Sequence, residues 1–548
     1  MRKQTLALVA MLFIANIAGS QEKIIFNSDR DIYIGGEDLW LSVINNDRET
    51  SLSKVVYIEL LNKYNTPVVQ EKLFLENNLA SSRFTIPDTI STGNYLLRAY
   101  TSWMRNYSPE CYTHQVISVI NPFVDNALKN LKVKSDNRIE GELVNKTSAQ
   151  VIKGLKKNYT QRQKVSLEIA QNNDWEYVTV SVTRSGLTKS NKQSAIDNIV
   201  YKIRSYTKLP EPKGEIISGV ISNIETGEPI INEKMMLSFI DETAILKFST
   251  TDSTGRFAFV INRFGVEEMV IQPYSSDTTK LNYKVTLDDQ FSSEYANLEI
   301  PELVIDSTKL EHINSAIVNM QINTIYSDYL ANVAKADSIE KAEAFYGKPE
   351  RTTIIDKFID LPTTEEVVRE IVPFATLKRQ KGQYIFRTYE DNSLYPRDGK
   401  TMPFVDGVPV YDVNRILDIN PEYLKKVDLL NLNYYYQDEN LGRLLLFYTN
   451  DGDMGNMDFD HRIFRQAHKG FLYNYQYKSP DYTINQNQQS RTADFRNLLY
   501  YSTFCADNAN VIEVDFTTGD DKAAYDVVVS GYKENGQTEQ FVKTFVVE

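Results

Sequence analysis

Four histidines, His114, His312, His461 and His468, are the obvious candidates for metal or acid–base chemistry. A zinc peptidase needs two of them at helical spacing beside an acid, as in H-E-x-x-H or H-x-x-E. Neither pattern occurs, and no acid lies between His461 and His468. The four therefore read as surface or core side chains. The run from Asn450 to Asp460 is acidic and contains glycine, which suits calcium. Its register fails the calcium-binding loop, however, because the invariant glycine would fall on Asn456 and no closing Glu follows. It reads as a solvated loop. There is no G-x-S-x-G, no P-loop and no G-x-G-x-x-G. A glycosidase-type carboxylate pair could sit among the 73 acidic residues, but nothing points to one. The expectation is no catalytic residue, no cofactor and no metal, with a hydrolase ranked last.

Binding chemistry has better candidates. Tyr434-Tyr435-Tyr436 and Tyr473-x-Tyr475-x-Tyr477 could present aromatic platforms, although strand edges use Tyr this way without a ligand. Cys111 and Cys505 stand at opposite ends of the chain. An oxidising compartment permits a disulfide, but nothing in the sequence supplies its geometry, so two separate thiols are expected.

Arg2 and Lys3, the apolar run Leu6–Ile17 and the small residues Ala18-Gly19-Ser20 have the form of an export signal, with the mature chain starting at Gln21. The run is too short to span a membrane. No cysteine follows it, so no lipid anchor is expected. The net charge of −13 argues against nucleic acid and anionic membrane as main partners.

A chain of 548 residues is too long for one core. Val56, Ile58 and Leu60 alternate with Tyr57 and Glu59, the period of a half-buried strand. Lys164–Ile169, Val178–Thr183, Val511–Phe516 and Tyr525–Ser530 do the same. The expected fold is mostly β, with tandem sandwiches at 21–122, 123–212, 213–302 and 456–548. Between them, 303–352 reads as a helical linker and 353–455 as a small α/β domain. From Ser307 to Phe345 there is no Pro or Gly, and Ile313, Ile317 and Met320 share a helical face that should pack on the chain's own domains. Thr364–Ile371 reads as a short helix capped by Thr363 or Thr364.

Three segments resemble known modules. Tyr33-Ile34-Gly35-Gly36-Glu37-Asp38-Leu39-Trp40-Leu41 and Gly93–Arg105 resemble a macroglobulin domain of the α2-macroglobulin superfamily. Ile217–Ile221, Gly227–Ile230 and Thr251–Phe257 resemble the carboxypeptidase regulatory-like domain, a sandwich without catalytic residues. Pro403–Val410, Leu417–Leu430 and Gly442–Thr449 resemble the plug domain of TonB-dependent transporters. The resemblance implies an exported protein of a Gram-negative envelope. The superfamily's Cys-Gly-Glu-Gln thioester is missing at both cysteines, which argues against a covalent protease trap. A transporter plug sits in a barrel of about 22 strands, and 98 residues after Asn450 are too few for one. The plug-like motif Val405, Asp406, Gly407, Val408 and Pro409 thereby becomes the interaction candidate, docking on an outer-membrane β-barrel made by another chain. The alternative is a surface glycan- or peptide-binding protein. Five segments, among them Asp88-Thr89-Ile90 and Asp306-Ser307-Thr308, also fit the D-[ST]-[AILMTV] acceptor of a bacterial periplasmic O-glycosylation system.

Overall fold

The computed structural model describes residues 22–46, 52–124, 132–134, 146–188, 203–274, 282–326, 334–336, 343–358, 361–380, 382–389, 401–460, 463–482, 492–506, 511–534 and 536–548. The expected export signal and His461 lie outside them. The chain forms two compact units, each drawn from separate stretches. The described residues of the first fall within Met1–Gly214, Phe291–Ser338 and Phe471–Glu548; those of the second fall within Glu215–Gln290 and Ile339–Gly470. Strands dominate both, as the alternating pattern predicts.

In the first unit, residues 22–120 make a two-sheet sandwich. Asp38–Asn45 lies between Ile24–Ser28 and Leu79–Thr85 in one sheet. The other sheet has five strands, with Gly93–Tyr100 between Val55–Leu61 and Thr113–Ile120. A buried ion pair, Arg98 to Glu59 at 2.6 Å, sits under Tyr100. The remaining Arg98 N–H groups donate to the carbonyls of Ser292 and Glu294, which fastens the segment after residue 290 to this sandwich.

The expected sandwiches at 123–212 and 456–548 are one sandwich. Lys164–Ala170 pairs along its whole length with Val511–Thr517. Trp175–Arg184 is held between Ala524–Lys533 and Leu498–Cys505. Val165, Val180, Val182, Leu499, Val514 and Phe545 share its core. Period-2 alternation marks a strand with one buried face, but it does not say which distant strand supplies the hydrogen bonds.

The helix runs Leu310–Ile325, preceded by a turn in which the Asp306 carboxylate accepts from the Thr308 amide at 2.9 Å. As expected, Ile313, Ile317 and Met320 are buried against the chain's own residues, here Ile32, Ile120 and Leu303. Val318 and Ile325 are exposed.

The second unit joins a sandwich to a mixed sheet. The sandwich sheets are Arg256–Ile261, Glu215–Asn223 and Tyr283–Leu287 against Leu246–Thr250, Lys234–Phe239, Val266–Pro273 and Phe464–Lys469. The last strand belongs here although its sequence position suggested the C-terminal segment. The mixed sheet runs Arg351–Ile354, Leu424–Tyr436, Glu439–Thr449, Thr401–Val405 and Val408–Pro409, with Thr401–Val405 parallel to Glu439–Thr449. Thr363 is the cap of the short helix, its hydroxyl accepting from the Glu366 amide at 3.2 Å.

Candidate functional site

The interaction motif read from the sequence turns inward. Val405, Asp406 and Val408 are fully buried, and Gly407 and Pro409 are buried as well. Asp406 and Gly407 occupy left-handed backbone at φ 40° and 80°, the two centres of a tight hairpin turn. A Cβ on Gly407 would stand 3.0 Å from the Phe239 carbonyl oxygen, so only glycine fits. The Asp406 carboxylate accepts from the Thr449 amide at 2.8 Å, the Thr449 hydroxyl at 2.5 Å and the Met454 amide at 2.8 Å. Burial pushes its carboxyl above the usual range, and those bonds pull it back part of the way. These five residues lock a turn into its own unit, so a docking contact would have to use their surroundings.

Met454 belongs to the acidic loop, whose Asp453 carboxylate accepts from the Gly455 amide at 2.9 Å. The loop's polar groups thus serve the chain itself. Among the described residues no group of three His, Cys, Asp or Glu side chains is placed to hold a metal ion. His114 is buried, and His468 is buried with Nε2 3.2 Å from a Glu215 carboxylate oxygen. Cys111 is buried, Cys505 is exposed, and no disulfide joins them.

The tyrosine runs separate in the same way. Tyr434 and Tyr436 pack on Phe345, leaving Tyr435 exposed alone. Tyr475 and Tyr477, by contrast, gather with residues from distant parts of the first unit. Tyr475–Tyr477 is a short strand antiparallel to Ala334–Ala336. The Tyr477 ring meets Trp40 edge-on at 5.2 Å and lies 6.4 Å from Tyr500. Trp40 is also 6.4 Å from Tyr501. Arg83, ion-paired to Asp38, places its guanidinium 5.0 Å from the centre of the Tyr475 ring.

Consecutive residues of a strand face opposite ways. Tyr501 therefore points to the first sandwich, where its hydroxyl donates to the Asn27 carbonyl at 2.7 Å, and Tyr500 points to Phe516 in the second. Tyr477 is held from behind. Arg496 Nη1 donates to its hydroxyl at 3.1 Å, and the same guanidinium grips Asp494 at 2.7 and 2.8 Å. Burial alone would raise the Asp494 carboxyl, but Arg496 and the Tyr482 hydroxyl more than offset it and hold it below the usual range.

Between these walls lies a cavity of about 490 Å³, within the range of small-ligand sites. Tyr475, Tyr477, Tyr500 and Tyr501 line it together with Ser81 and Thr503. Among the described residues Glu76 is its single charged lining residue. Asn474 also lines it, and its buried Oδ1 has no hydrogen-bond partner. The arrangement offers aromatic faces and hydroxyls to an uncharged ligand. The sequence pointed to Tyr475 and Tyr477. It gave no sign of Tyr500 or Tyr501.

No protein-family pattern matches the chain, and no curated protein does. Among solved structures, Salmonella α2-macroglobulin reacted with methylamine is 10% identical and aligns over 96% of this chain and 40% of its own length, with a TM-score of 0.24. Escherichia coli α2-macroglobulin activated by porcine elastase is 9% identical over 96% of this chain and 44% of its own, with a TM-score of 0.23. The Yersinia pseudotuberculosis adhesin InvE is 11% identical over 50% of this chain and 63% of its own, with a TM-score of 0.12. The chain thus spans less than half the length of these α2-macroglobulins.

Proposed function

We propose that this chain is an exported, non-enzymatic binding protein of the cell envelope, and that it engages its ligand through the tyrosine-lined groove of its first unit. The observation that carries this reading is the convergence of four tyrosines from two strands on one open cavity, backed by a buried Arg496–Asp494 pair that fixes Tyr477. Aromatic rings held rigid in this way lose little entropy on binding. The form of the first twenty residues supports export.

Docking on an outer-membrane β-barrel complex is the second reading. Its specific support is the far end of the strand Leu424–Tyr436, where Leu432 and Tyr435 are each 66% exposed. Exposed apolar side chains of this kind mark contact surfaces when they cluster. One experiment separates the two: tagged full-length protein is recovered from detergent-solubilised outer membranes, as wild type, as Tyr475→Ala/Tyr500→Ala and as Leu432→Ser/Tyr435→Ser. The groove reading expects a co-purifying partner that the tyrosine substitutions release. Release by the second pair alone would favour barrel docking, and recovery of the protein with no partner would count against both.

A further inference from the structure

The groove is bordered by two strands that, among the described residues, are each paired on one side only. Leu498–Cys505 ends a five-stranded sheet, and Leu79–Thr85 ends a three-stranded one. The register shows where their main-chain groups point. Ala506 donates its N–H to the Glu176 carbonyl at 2.7 Å, and Phe504 stands opposite Val178 and Ser502 opposite Val180. Bonding pairs alternate along an antiparallel ladder, so Phe504 and Ser502 bond to Trp175–Arg184 while Tyr501 and Thr503 turn their N–H and C=O groups the other way. The Asn45 amide likewise bonds to the Asn78 carbonyl, which directs the main chain of Ser81 outward from the other edge. Ser81, Tyr501 and Thr503 all line the cavity.

Open strand edges are normally blunted by lysine, proline or a bulge. Along Tyr500–Cys505 none of these occurs; the one register shift lies nearer the start of the strand, opposite Val182 and Thr183. Charge narrows the occupant. Among the described residues the lining holds one carboxylate, Glu76, and no lysine or arginine, so an acidic segment is disfavoured and an uncharged or singly basic one fits.

Resting on the groove reading above, we infer that the occupant is an extended, uncharged or weakly basic peptide segment, which adds as a strand to the edge of Leu498–Cys505. Its main chain pairs with Tyr501 and Thr503, and alternate side chains lie on Tyr475 and Tyr500. At a strand's rise, Tyr500–Cys505 covers about 17 Å, room for roughly five residues.

The test uses the purified full-length chain on two arrays, one of linear ten-residue peptides graded in charge and one of neutral oligosaccharides. Bound peptides are resynthesised with every second amide N-methylated, in both phases. Strand addition expects retention of uncharged or weakly basic peptides. It further expects about tenfold or greater weakening by N-methylation in one phase but not the other, and similar weakening by Tyr500→Ala. Binding that is indifferent to methylation phase overturns strand addition. Tyr500-dependent retention of oligosaccharides without peptides also overturns it, while leaving the groove reading intact. Retention of neither class, or retention that Tyr475→Ala and Tyr500→Ala leave unchanged, overturns the groove reading itself.

Discussion

Replacing Asp406 by alanine should loosen the second unit without touching the first. The carboxylate accepts two backbone amides and one hydroxyl, and all three donors lose their partner on truncation. The hydroxyl can turn elsewhere, but the two amides cannot, and stranding them costs about 3 kcal/mol. Alanine at a φ of 40° adds about 1 kcal/mol that aspartate, at home in left-handed backbone, largely avoids. Relief from burying a carboxyl returns about 1 kcal/mol, leaving a net loss of about 3 kcal/mol. Trp40, Trp103 and Trp175 all belong to the first unit, so tryptophan fluorescence would miss the effect. Hydrogen exchange read by mass spectrometry sees it directly. Amides of Thr401–Val405 and Leu444–Thr449 should lose protection by roughly a hundredfold, while those of Trp175–Arg184 stay unchanged. Asp406→Asn keeps an acceptor and tolerates the backbone, so its loss should be about fivefold. A change below threefold in the alanine variant would falsify the assignment of Asp406 as the lock on this turn.

The buried His114 imidazole is pulled down to about 4 by burial first and by the Arg98 charge second, against the weaker opposite pulls of a Tyr112 backbone hydrogen bond and of Glu110. The fold therefore holds it neutral, and the stability this gives is complete above the ordinary value of 6.5 and lost as pH falls from there to about 4. The loss amounts to about 3 kcal/mol, and urea unfolding followed by tryptophan fluorescence should show His114→Gln losing far less between pH 7 and pH 4.5. A Cβ on Gly531 would lie 2.2 Å from the indole of Trp175. Gly531→Ala should then cost about 3 kcal/mol by displacing that ring, seen as a lower midpoint in the same assay; an unchanged midpoint would mean the indole moves freely. Burial pushes the Cys111 thiol up to about 11, whereas Cys505 is exposed. Maleimide at pH 7 followed by peptide mapping should label Cys505 within minutes and leave Cys111 intact until the chain is unfolded, and equal labelling would refute this.

The sequence alone determined many of the strands. A period of two in Lys164–Ile169, Val511–Phe516 and Tyr525–Ser530 follows from sheet geometry, whatever the strands pair with. It also determined the local devices: a threonine cap at Thr363 or Thr364, the Asp406-Gly407 turn and the packed helical face at Ile313, Ile317 and Met320. Each depends on neighbours a few residues away. Only the tertiary structure decided that Lys164–Ala170 pairs with Val511–Thr517, because hydrogen-bonding groups of the main chain are the same in every strand. It alone sent Asp406 inward, since a turn sequence fixes dihedral angles and not which surface the turn meets. The groove lay beyond the sequence for the same reason. Tyr475 and Tyr500 become neighbours through the pairing of whole strands, and aromatic residues in an alternating strand look alike whether they fill a core or line an opening.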